Sequence, residues 1–288
     1  MWKIVPMSIK PLTPTRVAEV TELLGFSAPP PATIDGLTEV YDTWCRRVPF
    51  DNVRKLVGLH FKMPELPGID PADFFAAWQF TGAGSTCWGS NNALHAYLLG
   101  IGFDAALISA SMFDGDINHG TTVVTIEDIP WMSDTSIHGG LPVPLVEGQA
   151  ASVDYHGYVT AVRPDPAGWL IDIPTPDPSF RLPCRIHGPM DHPFTREANE
   201  KSRESSPFNN TIMAGINDDT GVWMLKDNSL ARIDATGTAS QALTNAEVDE
   251  FLVGTAGLSQ PLVAEVRAVL DFQLEQAAQA EQAENPDS

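Results

Sequence analysis

One cysteine in this chain has the surroundings of a nucleophile. Cys87 stands in Gly82-Ala83-Gly84-Ser85-Thr86-Cys87-Trp88-Gly89-Ser90-Asn91. Small residues lead straight into a helical pattern, which puts the sulfur at a helix N-terminus. There the macrodipole and unpaired amides favour a thiolate, and the same amides can donate to an oxyanion. His119 opens the run Gly120-Thr121-Thr122-Val123-Val124, and Asp134 lies in the next run, Trp131–Ile137. Neighbouring strands of a hairpin bring such side chains together. Cysteine, histidine and aspartate in that order supply nucleophile, base and orienting group. Each taken singly also has a plain structural reading: a buried thiol capping a helix, a histidine at a strand end, an acid in a turn.

The elements around these residues fall into three stretches. The first is helical. Thr13-Pro14 starts a helix carrying Val17, Val20, Leu23 and Leu24; a second presents Leu37, Val40, Tyr41 and Trp44 and stops before Pro49. A third begins at Asp70-Pro71 with Phe74, Phe75 and Trp78, and a fourth follows Cys87 with Leu94, Tyr97, Leu98 and Ile101. The period then changes. Ala105–Met112, Gly120–Ile126, Trp131–Ile137, Asp154–Arg163 and Trp169–Ile173 read as short strands separated by turn residues, the pattern of an antiparallel barrel or sandwich. Residues 185–207 are polar and read as a linker or helical connector. Strands are expected at Asn210–Gly215, Gly221–Lys226 and Ser229–Asp234, then a helix over Thr244–Leu252 with a capping box, then a last helix fraying into a polar tail from Glu275.

Composition removes several function classes. Lys and Arg total 17 against 37 Asp and Glu, a formal net charge of −20. Nucleic-acid affinity comes from cations on phosphates, and anionic membrane surfaces repel so acidic a chain. There is no transmembrane-length apolar window, no long apolar stretch behind Met1-Trp2-Lys3-Ile4-Val5-Pro6, no P-loop and no dinucleotide-binding glycine pattern. The three cysteines, Cys45, Cys87 and Cys184, are odd in number and spaced for neither a disulfide framework nor zinc, so reduced thiols, a cytoplasmic location and no metal are expected.

Five segments, in order, resemble the arylamine N-acetyltransferase family: Arg47-Val48-Pro49-Phe50-Asp51-Asn52, the Cys87 segment, Leu98-Leu99-Gly100-Ile101-Gly102-Phe103, the pair Asn118-His119-Gly120-Thr121 and Trp131-Met132-Ser133-Asp134, and Ser206-Pro207-Phe208. The resemblance spans nearly the whole chain. It implies an α+β fold: an N-terminal helical bundle over 1–102, a central antiparallel β-barrel with linker over 103–205, and a C-terminal α/β lid with polar tail over 206–288. It implies a ping-pong acyl transfer through a Cys87–His119–Asp134 triad from acetyl-CoA or another acyl thioester to a small-molecule amine, with no permanently bound cofactor. An amide synthase using a longer acyl thioester, a cysteine hydrolase and a member without turnover are the competing readings. The chain departs from the family where Ala83 replaces an arginine, Gly89 a glutamate, and Asp51 the glutamate of P-F-E-N.

Other residues carry smaller expectations. Phe50 and Trp88 are the candidate substrate contacts. Asp51 is expected to pair with Arg46, Arg47 or Arg54. Cys45 is expected in the core, Cys184 lacks a paired base, His138 is expected in a loop, and His95 lies two turns along the helix from Cys87. Arg196, Lys201 and Arg203 form a possible basic patch in an exposed connector.

Overall fold

The structure, a computed structural model, describes residues 12–113, 115–166 and 168–284. The hexapeptide Met1–Pro6 and the last four residues of the expected tail lie outside the described residues.

Four helices build the first core. They are α1 (Pro14–Leu23), α2 (Ile34–Arg47), α4 (Pro71–Thr81) and α5 (Cys87–Gly100), with α3 (Val53–His60) between the second and third of them. Thr13, Thr33 and Asp70 cap α1, α2 and α4 by accepting from backbone amides of the first turn, and prolines begin α1 and α4. Their apolar faces meet around Trp44, which stacks on Phe74 and meets Phe75 edge-on. The expected stripe of α5 is buried, and so is nearly everything else on that helix, from Cys87 through Leu98. It is therefore a central helix rather than a surface one.

The middle of the chain forms an eight-stranded antiparallel sheet in the order β5-β4-β3-β2-β9-β8-β7-β6. The strands are β2 (Asp104–Met112), β3 (His119–Ile126), β4 (Ile129–Met132), β5 (Val143–Pro144), β6 (Ala151–Tyr155), β7 (Tyr158–Asp165), β8 (Gly168–Pro174) and β9 (Arg181–Pro189). Edge strands β5 and β6 approach one another, so the sheet nearly closes into a barrel. Three expectations are corrected here. The run Trp131–Ile137 is a strand only to Met132; Asp134 sits in the loop beyond it. The run 154–163 is two strands turning at His156-Gly157. Part of the expected linker is β9, inserted between β2 and β8 and followed by helix α6 (His192–Lys201). Pro183 and the charges of β9 conceal its alternation, yet Cys184 and Ile186 point into the barrel core.

The last stretch forms β10 (Met213–Asp218), β11 (Gly221–Lys226), β12 (Ser229–Asp234) and β13 (Gly237–Ala242), then α7 (Asn245–Gly254) and α8 (Gln260–Glu284). The Thr244–Glu247 capping box is present at α7, and α8 continues through Glu284 where a frayed tail was expected. This sheet has a fifth strand from far away in sequence: β1 (Phe50–Asp51) pairs with β10, Phe50 opposite Gly215 and Asp51 opposite Ala214. Among the described residues, no helix is long and apolar enough to cross a membrane.

Candidate active site

Cys87 is the first residue of α5, and its N-cap Thr86 makes no side-chain capping bond. The loop before it is clamped from two sides. Asp51 N donates to Ser85 O at 3.3 Å, and the Asp51 carboxylate accepts from Gly84 N at 2.7 Å and Val53 N at 3.0 Å. Gly84 is required by close approach, since a Cβ there would lie 1.8 Å from the Pro49 carbonyl oxygen. Asp51 therefore hydrogen-bonds backbone amides, and of the expected arginines Arg54 acts on it by charge without a direct bond. Arg54 binds Asp73 at 3.0 Å, and Arg46 binds Asp42 and Asp219. Burial pushes the Asp51 carboxyl up to about 6, with the two amides opposing.

His119 begins β3, opposite Ala110 of β2. Its Nε2 lies 2.6 Å from Asp134 Oδ2, with both side chains inaccessible. The Cys87 sulfur acts on the same ring electrostatically. Burial works against a charged imidazole, but the Asp134 carboxylate and the Cys87 sulfur overcome it, holding His119 well above its ordinary range. Asp134 moves the other way: burial raises it, while His119 and the Ser136 donors bring it down to about 2.

The loop carrying Asp134 is fixed by its own bonds. Ser136 donates to Oδ1 from backbone N at 2.9 Å and from Oγ at 2.6 Å. Tyr41 of α2 donates to the Asp134 carbonyl at 2.6 Å. Asn91, one turn along α5 from Cys87, joins all three segments. Its Nδ2 lies 3.1 Å from Cys87 O, 2.8 Å from Gly120 O and 3.3 Å from Asp134 Oδ1. Its Oδ1 accepts from Thr122 Oγ1 and Thr135 N. The sequence reading gave Asn91 no role, although an asparagine four residues after the cysteine on one helix face is a visible signal.

The departures at Ala83 and Gly89 have structural causes. Ala83 is fully buried in the apolar cluster of Val53, Leu56 and Leu258, surroundings that disfavour a cation. A Cβ on Gly89 would lie 2.5 Å from both Gly68 O and Ser85 Oγ. The helix and the loop before it are packed together where a longer side chain would stand.

Phe50 and Trp88 are both buried. Phe50 meets Phe208 edge-on at 5.5 Å and His138 at 6.4 Å. Trp88 packs with Cys87 and Ile69, and Met190 and Ala198 cover that cluster. The segment from β9 through α6 thus roofs Cys87. Of the three expected basic residues, Arg196 and Arg203 pair with Glu65 and Glu200, and Lys201 is exposed at the end of α6. Cys45 and Cys184 are buried in the two cores, and burial pushes both thiols up to about 12. His95 hydrogen-bonds the Ala105 carbonyl. His138 lies in the loop expected, at φ 56°, its ring buried and pushed down to about 4 by burial. Among the described residues no group of three or more metal-ligating side chains converges.

Several solved arylamine N-acetyltransferases share this architecture. The arylamine N-acetyltransferase from Mycobacterium abscessus superposes with a TM-score of 0.77 at 19% identity, covering 93% of this chain and 99% of that one. That from Mycobacterium marinum, in complex with CoA, gives 0.75 at 16%, covering 89% and 98%. One from Bacillus cereus, described as having a Cys-His-Glu catalytic triad, gives 0.68 at 17%, covering 83% and 96%. No curated protein sequence matches the chain. The fold and site thus define an acetyltransferase enzyme. More particularly, a family model described as N-acetyltransferase matches residues 33–261, and the chain belongs to that family.

Proposed function

We propose that the protein transfers an acetyl group from acetyl-CoA to an arylamine through an acyl-Cys87 intermediate. The observation that carries this is the buried line from Asp134 through His119 to Cys87, with 2.6 Å between His119 Nε2 and Asp134 Oδ2. Asp134 and the sulfur both favour the imidazolium, so His119 is placed to take the thiol proton as Cys87 attacks. The sulfur forms a bond to the thioester carbon, the CoA sulfur leaves, and His119 gives it the proton. The amine nitrogen then attacks the acyl-cysteine carbon and passes its proton to His119. The Cys87 thiolate leaves and the amide is released. First-turn amides of α5 face the developing oxyanion, an effect worth about 3–4 kcal/mol per donor. An arylamine suits the second step because it is neutral near pH 7. The similar structures are arylamine N-acetyltransferases, one of them in complex with CoA, which supports these donor and acceptor classes. Three unpaired cysteines support a reducing, cytoplasmic setting.

Intact-mass measurement after acetyl-CoA tests the proposal. One acetyl group is expected on Cys87, discharged by added aniline. Cys87→Ser is expected to abolish turnover, and full activity in that variant would overturn the reading.

A further inference from the structure

Helix α3 brings a cation to the site that the mechanism does not use. Lys55 is 6% exposed. Its ammonium donates to Ser202 Oγ at 2.9 Å and approaches Ser202 O at 3.4 Å, just past the end of α6. The ionisable groups near it are Cys87 on α5, Arg203 just beyond α6, and Glu200 on α6. Glu200 is already committed: it pairs with Arg203 at 2.7 Å and accepts from the Leu66 amide. Among the described residues Lys55 thus has hydrogen bonds but no carboxylate of its own. A buried ammonium held only by a hydroxyl and a carbonyl is costly, and a charged partner would offset that cost.

The surroundings of the ammonium are aromatic. It lies 5.9 Å from the centroid of the half-buried Phe208 ring. Phe208 meets Phe50 edge-on at 5.5 Å, and the Phe50 backbone bridges to Ser85, two residues before the nucleophile. A cation, two aromatic rings and the sulfur therefore converge from α3, the loop before β10, β1 and α5. Such a set suits a flat ring carrying an amine at one end and an anion at the other.

We propose that Lys55 is the anion anchor of the acceptor site, so that the preferred acceptor is an aromatic amine bearing a carboxylate. This rests on the acyl-transfer reading above and narrows its substrate class. The amine presents to acyl-Cys87, the ring lies against Phe50 and Phe208, and the carboxylate neutralises Lys55.

The test compares 4-aminobenzoate with its neutral ethyl ester, after Cys87 acetylation has been verified by intact mass. Absent acetylation sinks the acyl-transfer reading; the present inference is judged only once acetylation is seen. The wild type is expected to favour the acid over the ester at least 10-fold in kcat/KM. Lys55→Met is expected to remove that preference through KM for the acid, and Lys55→Arg to retain it. Because burial brings the ammonium down to about 8, the preference should fade as pH rises through that value. A lysine that merely ties α3 to Ser202 predicts otherwise: Lys55→Met would lower the melting temperature and slow both acceptors equally. That result, or a wild type indifferent to the carboxylate, overturns the inference. So does a Lys55→Met effect confined to Cys87 acylation by succinyl-CoA relative to acetyl-CoA, which would put the anion on the acyl group.

Discussion

Replacing Asp51 by asparagine probes how the loop before Cys87 is held. Both Asp51 oxygens accept from buried amides, Val53 N at 3.0 Å and Gly84 N at 2.7 Å. Asparagine offers one acceptor oxygen and one NH2 group, so one amide faces a donor. A buried amide left without an acceptor costs about 1–3 kcal/mol. The charge contributes in the opposite direction. A carboxyl whose folded value is raised from 3.8 to about 6 takes up its proton more readily when folded, so stability falls as pH rises through that window. Above pH 6 the accumulated cost is about 3 kcal/mol. Asp51→Asn removes that cost and adds the amide penalty, so at pH 8 its global stability in urea should lie within about 2 kcal/mol of the parent. Its kcat/KM should nevertheless fall about 5- to 150-fold, the factor by which 1–3 kcal/mol weakens loop docking. Below pH 5 the parent carboxyl is itself protonated, and the gap should close. The parent should show an acid limb with a midpoint near 6 that the variant lacks. His119, held well above its ordinary range, contributes no limb there. A variant as active as the parent at pH 8, or one that keeps the limb, would refute the assignment of this loop to Asp51.

Other outcomes follow from the same geometry. Asp134→Asn should lower kcat about 10³- to 10⁴-fold by removing the orienting charge, measured by steady-state kinetics. Asn91→Leu, nearly isosteric, leaves the Thr135 amide and the Gly120 carbonyl short of a partner and should lower the melting temperature as well as kcat/KM. Gly89→Glu should not recover a family feature, because its Cβ meets backbone at 2.5 Å; calorimetry should show a loss of about 1–3 kcal/mol or more. His95 and His138, both brought down to about 4 by burial, bind fewer protons folded than unfolded, so stability should drain as pH falls from 6.5 to 4. His95→Gln should flatten that dependence in urea titrations taken across the window.

The large divisions were legible because their periods differ. Caps and apolar spacing announced α1, α2, α4 and α7, and turn residues punctuated most of the barrel. What escaped has physical reasons. Helix α3 has no side-chain cap and only eight residues. Strand β13 is an exposed edge of small polar residues, with no buried face to impose alternation. Strand β9 hides behind Pro183, because its placement is decided by partners on both sides and not by local preference. At the site, Cys87 and His119 announced themselves through what precedes and follows them. Asp134 does lie beside His119, but in a loop and not in the expected strand, where Ser136 and Tyr41 bond to it. Lys55 could not be read forward: its burial depends on Ser202 and Phe208, about 150 residues away.

The strand that Phe50 and Asp51 lend to the last sheet sets the moment at which the enzyme can first work. Asn52 spans the same junction, donating to Phe208 O and Thr211 O and accepting from Met213 N. During synthesis the helices and barrel leave the ribosome well before these partners exist. The strand that carries the clamp on the cysteine loop has nothing to pair with until β10 has emerged. A nascent chain therefore carries the segment around Cys87 without its last supporting strand through most of translation, and the last quarter of the polypeptide acts as the timer that completes it.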